Sequence, residues 1–252
     1  MESLEYLDRP NGHKIAYKKS DGTSPLIIWC GGLKSDMEGS KAVHLHAWAR
    51  ARGHAFIRFD YFGHGKSSGT FTDGTISQWS EDISSIMNTF SQRPVVLIGS
   101  SMGGWAALLA ALDTPARIAG LVLINPAPDF TEKLTVANWT DAQIKALEDD
   151  GIVYEPSSYD EPYAYSKALI EDGRARQILD APISLPCPVH ILSGALDPVV
   201  PTAYAAKLLD VLDLNKSHVH FTKVAGADHS LSRPNDLRLI EAAISDIIDA
   251  QV

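Results

Sequence analysis

The feature that most constrains this chain is a serine between glycines, placed where a predicted buried strand meets a predicted helix. Gly99-Ser100-Ser101-Met102-Gly103 follows the apolar run 94–98 and precedes a run of small residues from Gly104. The flanking glycines permit a turn too tight for side chains, so the Ser101 hydroxyl stands clear of the sheet, and the following helix points its positive end at it. An isolated G-x-S-x-G pattern is weak, but strand, turn and helix here occur in the order that a serine nucleophile requires.

A serine hydroxyl is a weak nucleophile, so it needs a base to remove its proton and an acid to orient that base. Asp197 lies in a Gly- and Pro-rich loop after the predicted strand 188–192, and His229 lies in the loop after the predicted strand 218–224. Loops that follow parallel strands meet at one edge of the sheet. We therefore predict that Ser101, Asp197 and His229 form a catalytic triad.

Two other carboxylates are rivals for the role of the acid. Asp129 follows the strand that ends at Ile124, where some hydrolases place their acid. Asp228 is the neighbour of His229, but adjacent side chains on a loop seldom face each other well. We expect Asp228 to stabilise the turn instead.

The transition state of acyl transfer carries an oxyanion that requires two preorganised N–H donors. We predict the backbone N–H of Met102, the residue after the nucleophile, as the first donor. The second is expected from the loop that follows the strand ending at Cys30, and we assign it to the backbone N–H of Leu33. The Leu33 side chain would then help to line an acyl pocket.

Predicted strands alternate with predicted helices along most of the chain. This alternation indicates an α/β fold with a mostly parallel sheet covered by helices on both faces, in a single domain over residues 1–252. Asn11-Gly12 predicts a hairpin turn between the first two strands. Further strands are predicted at 25–30, 55–59, 94–98, 118–124, 188–192 and 218–224, and helices at 41–52, 75–90 and around 237–248.

One long segment interrupts the alternation, because no convincing strand pattern occurs between Asn125 and Pro186. Helices are predicted at 141–150 and 163–179, and long excursions of this kind are often lids. We therefore predict a small helical cap over residues 126–186. Besides Leu33, we predict that an acyl tunnel is lined by Leu134, Trp139, Tyr154, Tyr159 and Tyr163. Apart from Leu33, these residues are equally good candidates for the core of the cap itself.

Charge and composition exclude several function classes. The formal net charge is −9, which argues against a nucleic-acid partner and gives no attraction to an anionic membrane. No apolar run approaches the roughly 18 residues of a membrane-spanning helix, and residues 1–5 lack the pattern of a signal peptide. Cys30 and Cys187 sit beside apolar runs, so we expect free thiols in a reducing compartment, namely the cytoplasm. We also expect the protein to be a monomer or a weak homodimer.

Three other motifs are incomplete. Gly65-Lys66-Ser67 ends like a P-loop, but Asp60 occupies the place of the required first glycine. Gly63 and Gly65 begin a dinucleotide fingerprint that fails at Ser68, so 60–65 is interpreted as a structural loop near the site. The pair His218 and His220 has no evident third ligand for a metal ion. The predicted chemistry therefore requires no cofactor and no metal.

The serine turn, the Asp197 loop and the His229 loop together resemble the α/β-hydrolase superfamily over essentially the whole chain. Within it, the abhydrolase-domain branch that contains the mitochondrial palmitoyl-protein thioesterases is similar to this sequence at residues 39–42, 53–61 and 99–105. The resemblance implies that nucleophile, acid and base fall on Ser101, Asp197 and His229. It also implies hydrolysis of thioesters and esters with acyl groups of fair length. No transit peptide is evident, which suggests a bacterial relative.

These observations predict a serine hydrolase that acts on a small acyl ester or thioester, or on an S-acylated protein. A carboxylesterase, a carbon–carbon bond hydrolase or an aminopeptidase on the same fold are alternatives. A non-catalytic ligand-binding protein is an alternative of another class, but a binder has no need of all three triad residues together.

Overall fold

The structure, a computed structural model, describes residues 3–10, 12–156, 162–213 and 218–250. Its strands are β1 Glu5–Asp8, β2 Lys14–Ser20, β3 Thr23–Cys30, β4 His54–Phe59, β5 Val95–Ser100, β6 Ile118–Ile124, β7 Ile152–Glu155, β8 Tyr163–Ser166, β9 Val189–Gly194 and β10 Val219–Val224. Its α-helices are α1 Ser40–Ala51, α2 Ile76–Phe90, α3 Met102–Asp113, α4 Asp141–Asp150, α5 Lys167–Ala175, α6 Thr202–Ala205, α7 Lys207–Val211 and α8 Pro234–Asp249.

Eight strands form one sheet in the order β1-β2-β4-β3-β5-β6-β9-β10. The pairs β1–β2 and β2–β4 are antiparallel, and every later pair is parallel. Each residue of the central strands β5 and β6 is buried, as expected when helices cover both faces of a parallel sheet. The predicted fold class is confirmed, and the first two strands pair as expected, although Asn11 of the predicted turn lies outside the described residues.

Two apolar cores lie on opposite faces of the sheet. Helices α2 and α3 contribute Trp79 and Trp105 to one core, whereas α1 and α8 contribute Trp48 and Ile244 to the other. Sequence signals account for some of these helices. For example, α2 buries residues spaced by three and four, and the Thr75 side chain caps it by accepting a hydrogen bond from the backbone N–H of Gln78.

The segment between β6 and β9 differs from the prediction of a purely helical cap. Helix α4 has the predicted bounds, but residues 163–166 form strand β8, which pairs antiparallel with β7. The helix predicted at 163–179 is therefore wrong at both ends, since α5 spans only Lys167–Ala175. Alternating Tyr163-Ala164-Tyr165 favours a strand once a partner is available, and the side chain of Ser166 caps α5 through the N–H of Leu169.

Hydrogen bonds connect this segment to the rest of the domain. The Asp172 side chain on α5 accepts a hydrogen bond from the N–H of Ser77, next to the start of α2, at 2.8 Å. The Lys34 ammonium, on the loop after β3, donates to the carbonyl of Pro162 at 3.1 Å. Across the described residues, no helix combines the length and apolarity needed to cross a bilayer.

Candidate active site

Ser101 lies on a strained turn between β5 and α3, with φ +54° and ψ −120°. The two glycines beside it are required by close packing. A Cβ on Gly103 would lie 2.2 Å from the carbonyl oxygens of Cys30 and Gly31, and one on Gly99 would lie 2.6 Å from the Cα of Gly104. No real side-chain carbon tolerates such distances, so the predicted tight turn follows from the approach of α3 to the sheet.

The three predicted triad residues meet at the carboxyl edge of the sheet. His229 Nε2 lies 3.1 Å from Ser101 Oγ, and His229 Nδ1 lies 2.7 Å from Asp197 Oδ2. The second Asp197 oxygen accepts hydrogen bonds from the backbone N–H groups of Val199 and Val200 at 2.8 and 2.9 Å. The Asp197 side chain is fully buried, whereas that of His229 is 29% exposed, so the base is accessible from solvent while the acid is held in place.

Both rival carboxylates have other partners. Asp129 is fully buried, and its oxygens accept hydrogen bonds from the N–H groups of Ile178 and Leu179 at 2.8 and 2.9 Å. Asp228 accepts hydrogen bonds from the N–H and hydroxyl of Ser230, and these lower the pKa of its carboxyl group. Asp129 thus fixes the end of the inserted segment, and Asp228 stabilises its own turn.

The loop after β3 lies against the serine turn. A Cβ on Gly32 would lie 3.5 Å from the Cβ of Ser101, so the next residue, Leu33, is close to the nucleophile. Met102 is the first residue of α3, where backbone N–H groups have no partner within the helix. Among the described residues, neither the N–H of Leu33 nor that of Met102 donates a hydrogen bond to another protein group, so both predicted donors are available.

His64 stabilises the loop after β3 through a hydrogen bond. Its Nε2 accepts a hydrogen bond from the backbone N–H of Lys34 at 3.2 Å, so its proton is on Nδ1, which donates to the carbonyl of Phe62 at 3.1 Å. The ring is buried and packs edge-on against Phe71 and Trp79. Burial lowers the pKa of His64 to about 4, so the ring is a neutral acceptor near pH 7.

Other polar residues around β4 anchor the far end of this loop. Asp60 accepts a hydrogen bond from the N–H of Met37 at 2.6 Å, and buried Arg58 donates to the Met37 carbonyl at 2.6 Å. Burial raises the pKa of Asp60 to about 6. The interpretation of residues 60–65 as a structural loop near the site agrees with these contacts, which support the backbone on which Leu33 lies.

The predicted tunnel liners have different surroundings. Trp139 is buried, packs edge-on against Tyr165 and donates its Nε1–H to Glu155 at 2.5 Å, which are contacts within the inserted segment. Tyr154 is 61% exposed, whereas Leu134 and Tyr163 are half-buried against the larger core. Tyr159 lies outside the described residues. A role in substrate binding stays a prediction for this set.

In the part of the chain that the structure describes, the other candidate ligands and nucleophiles, a histidine pair and the two cysteines, do not form a second site. His220 stacks on His190 with the ring centroids 4.6 Å apart, and within the described ranges no group of three or more His, Cys, Asp or Glu side chains is suited to hold a metal ion. Cys30 and Cys187 are free and buried. Burial raises the pKa of both thiols, that of Cys187 to about 11.

Sequence reasoning missed one polar residue of this region. Asn125, the first residue after β6, makes hydrogen bonds to both the strand that precedes Asp197 and the loop that carries His229. Its only sequence signal is a polar residue directly after a fully apolar strand, at the edge where the site forms.

Comparisons with known proteins show the family to which the fold belongs. The family model described as "Alpha/beta hydrolase family" matches residues 30–240. The human protein named palmitoyl-protein thioesterase ABHD10, mitochondrial, is 34% identical over 250 residues, which cover 98% of this chain and 80% of that protein. The structure of mouse alpha/beta hydrolase domain-containing protein 10 has a TM-score of 0.88 at 32% identity and covers 99% of this chain and 100% of the mouse chain. A crystal structure of a protein from Agrobacterium vitis S4 has a TM-score of 0.91 at 37% identity and covers 98% of this chain and 99% of its own. This chain belongs to the alpha/beta hydrolase family.

Proposed function

We propose that the protein is a serine hydrolase that cleaves acyl thioester or carboxylic ester bonds through a covalent acyl-enzyme. The observation that carries the proposal is the pair of short contacts, 3.1 Å from Ser101 Oγ to His229 Nε2 and 2.7 Å from His229 Nδ1 to Asp197 Oδ2. In this arrangement the imidazole can take the hydroxyl proton, while the carboxylate orients the ring and stabilises the imidazolium. Relatives named as palmitoyl-protein thioesterases support a thiol leaving group and a long acyl chain.

In the proposed reaction, Ser101 Oγ attacks the acyl carbonyl carbon as His229 Nε2 takes its proton. The N–H groups of Leu33 and Met102 stabilise the oxyanion, and the loss of one such donor typically costs about 3 kcal/mol. The carbon–sulfur or carbon–oxygen bond then breaks as His229 returns the proton to the leaving thiol or alcohol. Water, deprotonated by the same imidazole, then hydrolyses the acyl-enzyme and regenerates the serine. None of these steps calls for a metal ion or a cofactor.

We further propose that residues 126–186 act as a cap that contributes to acyl binding. Leu33, Leu134 and Tyr163 are only half-buried, so their apolar surface is partly available to a substrate. The substrate class is a small acyl ester or thioester, or an S-acylated protein. The buried free thiols suit a reducing compartment such as the cytoplasm, whereas the mammalian relatives are named as mitochondrial.

The first test is the reaction of a fluorophosphonate probe with the purified protein. We expect one adduct, on Ser101, and none in Ser101→Ala. The matched control is Ser100→Ala, because Ser100 is the buried last residue of β5, directly before Ser101, and its side chain makes no hydrogen bond to His229 or Asp197. A wild-type protein that stays unlabelled would favour the non-catalytic binding protein.

The second test is turnover of p-nitrophenyl esters and acyl-cysteine thioesters of increasing chain length. Ser101→Ala is expected to lower kcat by roughly 10⁴-fold or more with little change in the melting temperature. Asp197→Asn is also expected to lower kcat by roughly 10⁴-fold. Asp129→Asn should retain kcat, since that carboxylate is bonded to Ile178 and Leu179. Near-wild-type turnover by Ser101→Ala would refute the proposed function.

A further inference from the structure

The residue that follows β6, Asn125, occupies an unusual place in the fold. Its side chain is fully buried, and its backbone adopts φ +42°, in the left-handed region that asparagine tolerates better than most residues. Its backbone N–H continues the sheet by donating to the carbonyl of Leu192 on β9 at 2.8 Å. The side chain is therefore fixed at the edge of the sheet from which the proposed catalytic loops emerge.

Both the oxygen and the nitrogen of the Asn125 carboxamide form hydrogen bonds. Its oxygen accepts a hydrogen bond from the N–H of Gly194, the last residue of β9, at 2.7 Å. Its nitrogen donates to the carbonyls of His229 at 2.9 Å and Asp228 at 3.2 Å. One amide thus connects the end of the strand that leads to Asp197 with the backbone that carries the base.

We propose that Asn125 is a positioning residue of the hydrolytic site, and that its carboxamide sets the separation between the Asp197 carboxylate and the His229 imidazole. The inference rests on the proposed function, because it explains how the fold maintains the proposed 2.7 Å acid–base contact between these two side chains. Asn125 touches neither the substrate nor the reacting atoms, so it acts only through the two loops that it connects.

The chemistry of the contacts requires an amide. Two backbone carbonyls need donors and one backbone N–H needs an acceptor, and a carboxamide supplies both kinds of group. An ionised aspartate would place an oxygen against the two carbonyls, whereas glycine would leave all three backbone groups without this partner. Neither replacement needs to strain the backbone, because both residues are found at positive φ.

The two loops also have contacts of their own. The N–H of Leu196 donates to the carbonyl of Ala227 at 2.8 Å, and the Lys41 ammonium donates to the carbonyl of Ser230. These contacts keep the loops in the fold when the amide is lost. We therefore expect a variant of Asn125 to fold with a displaced acid–base pair rather than to unfold.

The experiment measures kcat and KM on a p-nitrophenyl ester and the phosphonylation rate of Ser101. In Asn125→Gly we expect kcat and the phosphonylation rate to fall by roughly 10²-fold, as a misplacement of about 1 Å can cause, with KM within twofold of the wild type.

Asn125→Asp is the second variant, since it keeps the size of the side chain and the acceptor for Gly194. It should also lose at least tenfold in kcat, and it carries the test if the glycine variant does not fold. The matched control is Asp129→Asn, because Asp129 is also fully buried, follows the same strand, has φ +56° and bonds two backbone N–H groups. This control should lose thermal stability but retain kcat and the phosphonylation rate of Ser101.

Variants of Asn125 that lose only thermal stability, with kcat and phosphonylation rate within twofold of the wild type, would overturn the inference. That result leaves the proposed function intact if Ser101→Ala is inactive. If instead Ser101→Ala remains active, the proposed function fails, and the inference about Asn125 fails with it.

Discussion

The burial of His64 leads to a prediction about stability in acid. In the unfolded chain a histidine has a pKa of about 6.5, whereas burial lowers the pKa of folded His64 to about 4. As the pH falls below 6.5, the unfolded chain binds a proton that the folded protein does not yet bind, so the folded state loses stability. The loss from this one residue is about 2 kcal/mol at pH 5 and approaches about 3 kcal/mol near pH 4.

The perturbation is His64→Gln, which removes the titratable ring but can keep an acceptor for the N–H of Lys34. The variant loses the edge contacts with Phe71 and Trp79, so it is expected to be less stable than the wild type at pH 7. What is tested is how this difference changes with pH. Two buried carboxylates, Asp60 and Asp82, have pKa values raised to about 6 by burial, and they oppose the effect because the folded form binds their protons first.

Both proteins contain these carboxylates, so their contribution cancels in the comparison. The assay is urea denaturation at intervals between pH 7 and pH 4, which gives the free energy of unfolding of each protein. The advantage of the wild type should shrink by about 3 kcal/mol over this range. A difference that stays constant within about 0.5 kcal/mol would refute the assignment of His64 as a buried neutral acceptor, and so would a proton on Nε2 in the nitrogen NMR spectrum.

Two further predictions concern packing. Gly103→Ala would place a Cβ 2.2 Å from two carbonyl oxygens, so it should cost about 3 kcal/mol or more of stability, whereas the control Gly39→Ala meets its nearest atom at 3.5 Å and should be tolerated. Equal melting temperatures for the two variants would contradict the explanation of the serine turn. Trp139→Phe removes the hydrogen bond to Glu155 and should lower the unfolding free energy by about 1 kcal/mol without a large change in kcat on a short ester. A large loss of kcat in that variant would instead place Trp139 at the substrate.

The elements that the sequence predicts well have strong local patterns. The apolar runs of β5 and β6 are long and unbroken, and α4 has both a capping box at Thr140 and a glycine after its last turn. The order of Ser101, Asp197 and His229 along the chain is also a sequence property, so their meeting at one sheet edge follows from parallel topology.

The elements that the sequence does not predict depend on partners that are distant in the chain. Strand β8 has only four residues and forms because β7 pairs with it, so the local sequence alone favours a helix for Tyr163 and Tyr165. The choice between Asp129 and Asp197 depends on which carboxylate reaches the imidazole. The amide of Asn125 forms hydrogen bonds with backbone groups 69 to 104 positions away in the sequence, and no local sequence pattern predicts such contacts.

The burial of both native thiols makes the protein suited to site-specific labelling. With a pKa of about 11, the Cys187 thiol is only about 0.1% thiolate at pH 8, and Cys30 is fully enclosed. Leu196, beside Asp197, is 68% exposed. A dye attached to Leu196→Cys by maleimide chemistry would thus report on that loop alone, and its fluorescence could follow substrate arrival in real time without any native cysteine having to be removed.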